Sequence, residues 1–132
     1  MDRLLDVFAT TIKAVENGQE EIFGIYETTR AEIQRLKKEL DFLNTEIADR
    51  IKKVDEQYKK EKSLRYKLMQ VNRDFKLYTE QQMLEVYNEA KDAQVELQLL
   101  QAKEMQLRTR RDEVERTLKN LNVTAQKAEN LM

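Results

Sequence analysis

The chain has 132 residues, with 24 Lys and Arg against 25 Asp and Glu, 37% charged residues and a net charge of -1. One domain is expected at this length, and charges so evenly mixed suit solvated helix faces and argue against a large nucleic-acid footprint. With two Gly and no Pro, Cys or His, the sequence lacks turn punctuation, thiol chemistry, the commonest general base and a common metal ligand.

Long helices remain, so the expected fold is all-α: a single helical coiled-coil domain over 1–132, with helices at about 2–16, 19–77 and 79–131. In the first helix Leu4, Leu5, Phe8, Ile12 and Val15 share a stripe at steps of three and four. Asp2 can cap its start, and Asn17-Gly18 reads as a stop because both residues tolerate the left-handed conformation that ends helices. This short helix is the expected cover for Phe23, Ile25 and Tyr26, which crowd several faces of the next one. The stretch MDRLLDVFATTIKAVENGQ has no apolar core of signal-peptide length, and no segment approaches the roughly 20 apolar residues that span a bilayer. A soluble, cytoplasmic protein is expected.

The second helix carries a seam at Ile33, Leu36, Leu40, Leu43, Ile47, Arg50, Val54, Gln57, Glu61, Leu64, Leu68, Val71, Phe75 and Tyr78. Steps alternating between three and four are the period of a helix that faces another helix along its length. The seam is polar from Gln57 to Glu61, and Ile51 and Tyr58 beside that gap suggest a wider contact face. Thr79-Glu80-Gln81-Gln82 is a capping box, with the Thr79 hydroxyl accepting from the Gln82 amide and the Gln82 side chain reaching back to Thr79. The third seam, Met83, Val86, Ala90, Ala93, Leu97, Leu100, Glu104, Leu107, Arg111, Val114, Leu118, Leu121, Ala125 and Ala128, is one residue out of phase with the second. The phase slip and the capping box together place a break at Tyr78, Thr79 and Gln82.

That break allows two architectures. A reversal gives an antiparallel hairpin in which residues equidistant from Tyr78 face each other; a kink gives a near-continuous rod forming a parallel dimer. Val95, Leu99, Ala102 and Met105 make a second apolar stripe beside the seam of the third helix, and two stripes imply two neighbours. The hairpin that dimerises, part of it becoming a four-helix bundle, is therefore favoured. The absence of Gly, Asn and Pro from the turn weighs the other way.

Candidate sites are few. Within the seam segment Leu97, Leu100, Glu104, Leu107, Arg111, Val114 and Leu118, the two charges are either a registry layer that switches between packings or long side chains that snorkel out of a narrow seam. Arg108, Arg110, Arg111 and Arg116 are interleaved with Asp112, Glu113 and Glu115, the pattern of a solvated face. Di-metal helical bundles use Glu-x-x-His pairs, which a His-free chain cannot supply. No phosphate loop, nucleophile elbow or cysteine cluster exists. Tyr78 and Tyr87 flank the break and read as packing that holds the turn. No catalytic residue, metal or cofactor is expected.

The text from Tyr78 to Leu121 resembles the N-terminal sensor region of the DegS-type sensor histidine kinases of Gram-positive bacteria. The resemblance is carried by the Thr79 capping box, Val86-Tyr87 with Ala90, Gln94-Val95-Glu96-Leu97, Glu104 with Gln106-Leu107-Arg108, Arg110-Arg111-Asp112, Glu115-Arg116 and Leu118. It is clear after Asp74 and weak from Ala31 to Arg65. It implies a cytoplasmic, membrane-free, homodimeric input module that passes a stimulus through helices to a downstream kinase core acting on a DegU-type response regulator. The phosphoaccepting His and the ATP-lid glycines of that core are not in this chain, so it is not expected to be an enzyme itself. A stand-alone coiled-coil spacer or adaptor is the other reading.

Overall fold

A computed structural model describes the backbone from Asp2 and the side chains from Gly18 onward. Its elements are α1 (Asp2–Arg73), a 3-10 turn (Phe75–Leu77) and α2 (Glu80–Leu131), and α1 and α2 form a helical hairpin. The rod is not adopted.

The expected stop at Asn17-Gly18 does not form, because α1 runs through it. No described glycine has positive φ, and a glycine inside a helix costs only about 1 kcal/mol relative to alanine. That cost is too small to end a helix that nothing else interrupts. With no reversal at Gly18, Phe23 and Ile25 stay 53% and 54% exposed. The stripe from Leu4 to Val15 lies outside the described side chains.

The reversal is built without a left-handed residue. Asp74 N–H donates to the Gln70 carbonyl at 2.9 Å, and Leu77 N–H and Tyr78 N–H donate to the carbonyls of Asp74 and Phe75 at 2.9 and 3.2 Å. Three-residue bonding tightens the chain, and Tyr78, extended at φ -121° and ψ 148°, redirects it. This answers the missing glycine: the turn asks only for conformations that any L-residue adopts. The capping box then opens α2, with Gln82 N–H donating to Thr79 Oγ1 at 3.1 Å and Thr79 N–H donating to Gln82 Oε1 at 2.9 Å. Because the chain leaves the α-helix at Arg73, Phe75 and Tyr78 do not continue the seam; they are 55% and 38% exposed. Tyr87 is 51% exposed.

The chain divides into two compact units, one comprising Met1–Asp41 with Asp112–Met132 and the other Phe42–Arg111. In the first, Ile33, Leu36, Val114, Leu118, Ala125 and Ala128 are buried, together with Thr29. In the second, Leu43, Ile47, Val71, Val86, Ala90, Ala93 and Leu97 are buried, together with Glu61. These are seam positions, so the alternating three-and-four spacing sets the buried face of each helix. The second stripe on α2 does not lie beside the seam. Val95, Leu99 and Met105 are 48%, 55% and 69% exposed, on the side turned away from α1.

Candidate functional site

The polar residues in the seam of the Phe42–Arg111 unit are the chemically distinctive place in the fold. Gln57 Nε2 donates to the Ala93 main-chain carbonyl at 3.0 Å. Ala93 and Ala90 are small enough for the helices to approach closely there, and a side chain from α1 reaches the backbone of α2. Gln57 lies 18 residues before Phe75 and Ala93 18 after it, so facing residues are equidistant from Phe75. The reversal is thus centred three residues earlier than Tyr78, in the 3-10 segment. Val54 is level with residues near Leu97.

One turn beyond Gln57, Glu61 is 8% exposed. Its carboxylate meets Arg65 at 3.7 Å, and that guanidinium is itself largely in solvent. A buried carboxylate held only by a rim cation recovers little of its desolvation cost. Arg50 is half-buried, and its Nε is buried without a hydrogen-bond partner. Such a donor costs about 1–3 kcal/mol.

The sequence-derived candidates divide between the units. Leu97 is buried and Leu100, Glu104, Leu107 and Arg111 are half-buried in the unit with the turn, whereas Val114 and Leu118 are buried in the other. Glu104 keeps 18% of its side chain exposed and bonds Arg108, one turn on, at 2.9 Å. It is anchored at the rim of the seam rather than sealed inside. Arg116 Nε approaches the Asp112 carbonyl at 3.5 Å. Thr79, Gln82 and Tyr78 lie exposed at the turn. Sequence reasoning did not single out Gln57 and Glu61 as a site, although the polar gap on α1 and the paired alanines on α2 signal them. Among the described residues no group of three or more His, Cys, Asp or Glu could hold a metal ion, and no helix is long and apolar enough to cross a membrane.

Among the described residues the hairpin is distinguished by the polar layers in its seam. Its sequence places it more narrowly. The family described as sensor protein DegS matches residues 6–132, and the chain belongs to that family, as part of its N-terminal region. It is 36% identical over 132 residues to the signal transduction histidine-protein kinase/phosphatase DegS of Brevibacillus brevis, covering 100% of this chain and 33% of that protein. It is 30% identical over 131 residues to the protein of the same description from Bacillus subtilis (strain 168), covering 98% of this chain and 34% of that one. The chain therefore spans about a third of the length of these relatives. No solved structure matches it.

Proposed function

We propose that this chain is the signal-input and dimerisation module of a DegS-like cytoplasmic sensor histidine kinase. The observation that carries the reading is the alignment of the whole chain to a third of each DegS kinase. The chain itself is non-catalytic; the kinase core and a DegU-type response regulator are its downstream partners. It transmits by a change of helix packing or register in its coiled-coil seam, biased by a stimulus and passed out through the C-terminal end of α2. A switch of this kind needs two packings within a few kcal/mol of each other. The layers at Arg50, Gln57, Glu61, Glu104 and Arg111 support it, since each weakens one packing and so narrows the gap to another.

The test uses the full-length kinase that contains this chain. Glu104→Leu with Arg111→Leu fills the seam with apolar side chains and is expected to raise the melting temperature while locking the level of phosphorylated regulator at one value. An unchanged, still stimulus-responsive output from a stabilised variant would overturn the switch and favour a spacer.

A further inference from the structure

The side of α1 turned away from the seam carries a second line of residues near the reversal. Gln57, Glu61, Leu64, Leu68 and Val71 are buried or half-buried, whereas Lys59, Lys62, Tyr66, Met69 and Arg73 are all exposed on the opposite side. Their steps are three, four, three and four, the spacing at which one helix meets another along its length. Tyr66 and Met69, in the middle of the line, are 63% and 64% exposed. With Lys59, Lys62, Ser63 and Arg65 they line a shallow groove.

This stretch of α1 is strongly basic. From Gln57 to Arg73 there are six Lys and Arg and one acid, Glu61, which is buried in the seam. Lys59 Nζ meets Asp55 at 3.1 Å, which closes the cationic stretch at its N-terminal end. Arg73 Nε lies 4.0 Å from Asp74 Oδ2 at the other end. Between them, Arg65 touches Glu61 at 3.7 Å and keeps most of its side chain in solvent. Lys62 has no ion-pair partner among the described residues. The start of α2 has the opposite balance: from Leu77 to Ala93 there are four acids, Glu80, Glu85, Glu89 and Asp92, and one cation, Lys91.

We propose that this face of α1 docks an acidic amphipathic helix of a partner protein, a class of partner beyond the kinase reading above. Asp or Glu side chains of that helix meet Lys62 and Arg65, and its apolar side chains pack on Tyr66 and Met69. Charge fixes the sign of the occupant and width fixes its shape. A single helix, about 10 Å across, rests on α1 alone. A broader polyanion, whether a nucleic-acid duplex or an anionic bilayer, overhangs α1 and brings its charge toward the acids of α2. The three-and-four spacing also matches the anchors of a docked helix, which a bilayer does not present. From Lys59 to Arg73 the line is about 21 Å long, so it takes roughly four turns of partner helix. The cations face water, so the contact weakens as salt rises.

Fluorescence anisotropy on the purified chain tests this with two labelled helical peptides of equal composition and charge. In one, glutamates and leucines share a single face at three-and-four spacing; in the other they are spread round the helix. The striped peptide is expected to bind about tenfold or more tightly than the spread one, with an affinity that falls as salt is added. Lys62→Glu should weaken it about tenfold or more, because a like charge replaces a counter-charge. Tyr66→Ala should weaken it and leave the salt dependence unchanged. Both residues are exposed, so the helical circular dichroism should not move. Lys37→Glu, at an exposed position of the other unit, should bind as the parent does. No binding of the striped peptide, or equal binding of the two, overturns the proposal. So does tighter binding to phosphatidylglycerol vesicles or duplex RNA. A mass of the chain alone that Lys62→Glu lowers in sedimentation would give this face to a second copy and overturn the separate partner.

Discussion

The two units use the same seam period for opposite ends. In the unit of Ile33, Leu36, Val114 and Leu118 the described buried side chains are apolar apart from Thr29, and Val114 is 1% exposed. Between Phe42 and Arg111 the seam is interrupted at Arg50, Gln57, Glu61, Glu104 and Arg111. Burying apolar side chains gives stability without specifying which level of one helix meets which level of the other. Polar layers cost stability but discriminate among levels. The unit with the turn therefore carries the layers that can specify register, while each unit buries a valine at 1% exposure, Val71 in one and Val114 in the other.

The sharpest test of that contrast is a pair of truncations. Leu36→Ala removes a side chain that is 3% exposed and should cost about 2–4 kcal/mol by lost burial and residual cavity. Leu100→Ala, at a half-buried position among polar layers, should cost roughly half as much, since fewer contacts are lost and the site collapses more easily. Thermal melts followed by circular dichroism measure both. Equal costs would abolish the distinction between the units.

The second test acts on the polar layer itself. Glu61→Leu replaces a buried, poorly paired carboxylate and should stabilise the hairpin by about 1–2 kcal/mol. Gln57→Leu loses the bond to the Ala93 carbonyl, so the level at which the helices meet is held by packing alone. Spin labels placed across the hairpin should then give a broader distance distribution for Gln57→Leu, while Glu61→Leu keeps it narrow. If Gln57→Leu leaves the distribution as narrow as before, the glutamine does not set register.

Much of this fold is legible before any coordinate is seen, because heptad spacing is a local property. The seams on α1 and α2, their phase slip and the capping box at Thr79 are all fixed by residues within a turn or two of one another. The end of α1 is less legible. Phe75 and Tyr78 continue the seam in sequence, and only the 3-10 bonds of the reversal take them out of it. The break expected at Gly18 failed for a related reason: a glycine permits a left-handed turn but does not impose one. The hydrogen bond from Gln57 to Ala93 spans 36 residues, and its pairing depends on where the reversal is centred, which no local pattern specifies.

A smaller effect is expected at the turn. Thr79→Ala removes the acceptor for the Gln82 amide, and the loss of a helix N-cap typically costs about 1 kcal/mol. Hydrogen exchange should report the loss first in the opening turns of α2, with little change at Val114. A cost felt equally at both places would mean that the two units melt as one.

The smallest effect is electrostatic and belongs to the apolar-seamed unit. Arg35 Nε donates to Glu32 Oε2 at 3.0 Å, and a second guanidinium nitrogen contacts Glu32 Oε1. The hydrogen bond from Arg35 holds the Glu32 carboxyl below the usual carboxylate range, and Glu32 in turn holds Arg35 above its ordinary value. A carboxyl whose folded value is lowered adds stability that is fully present above its unfolded value and fades as pH falls through the folded one. Arginine stays charged throughout that window, so Glu32 alone sets the dependence. Both groups are exposed, and solvent screens the pair. Glu32→Gln should therefore lower the melting temperature slightly at neutral pH, and the difference from the parent should vanish in acid or in high salt. A difference that persists in acid would show that Glu32 acts through packing and not through its charge.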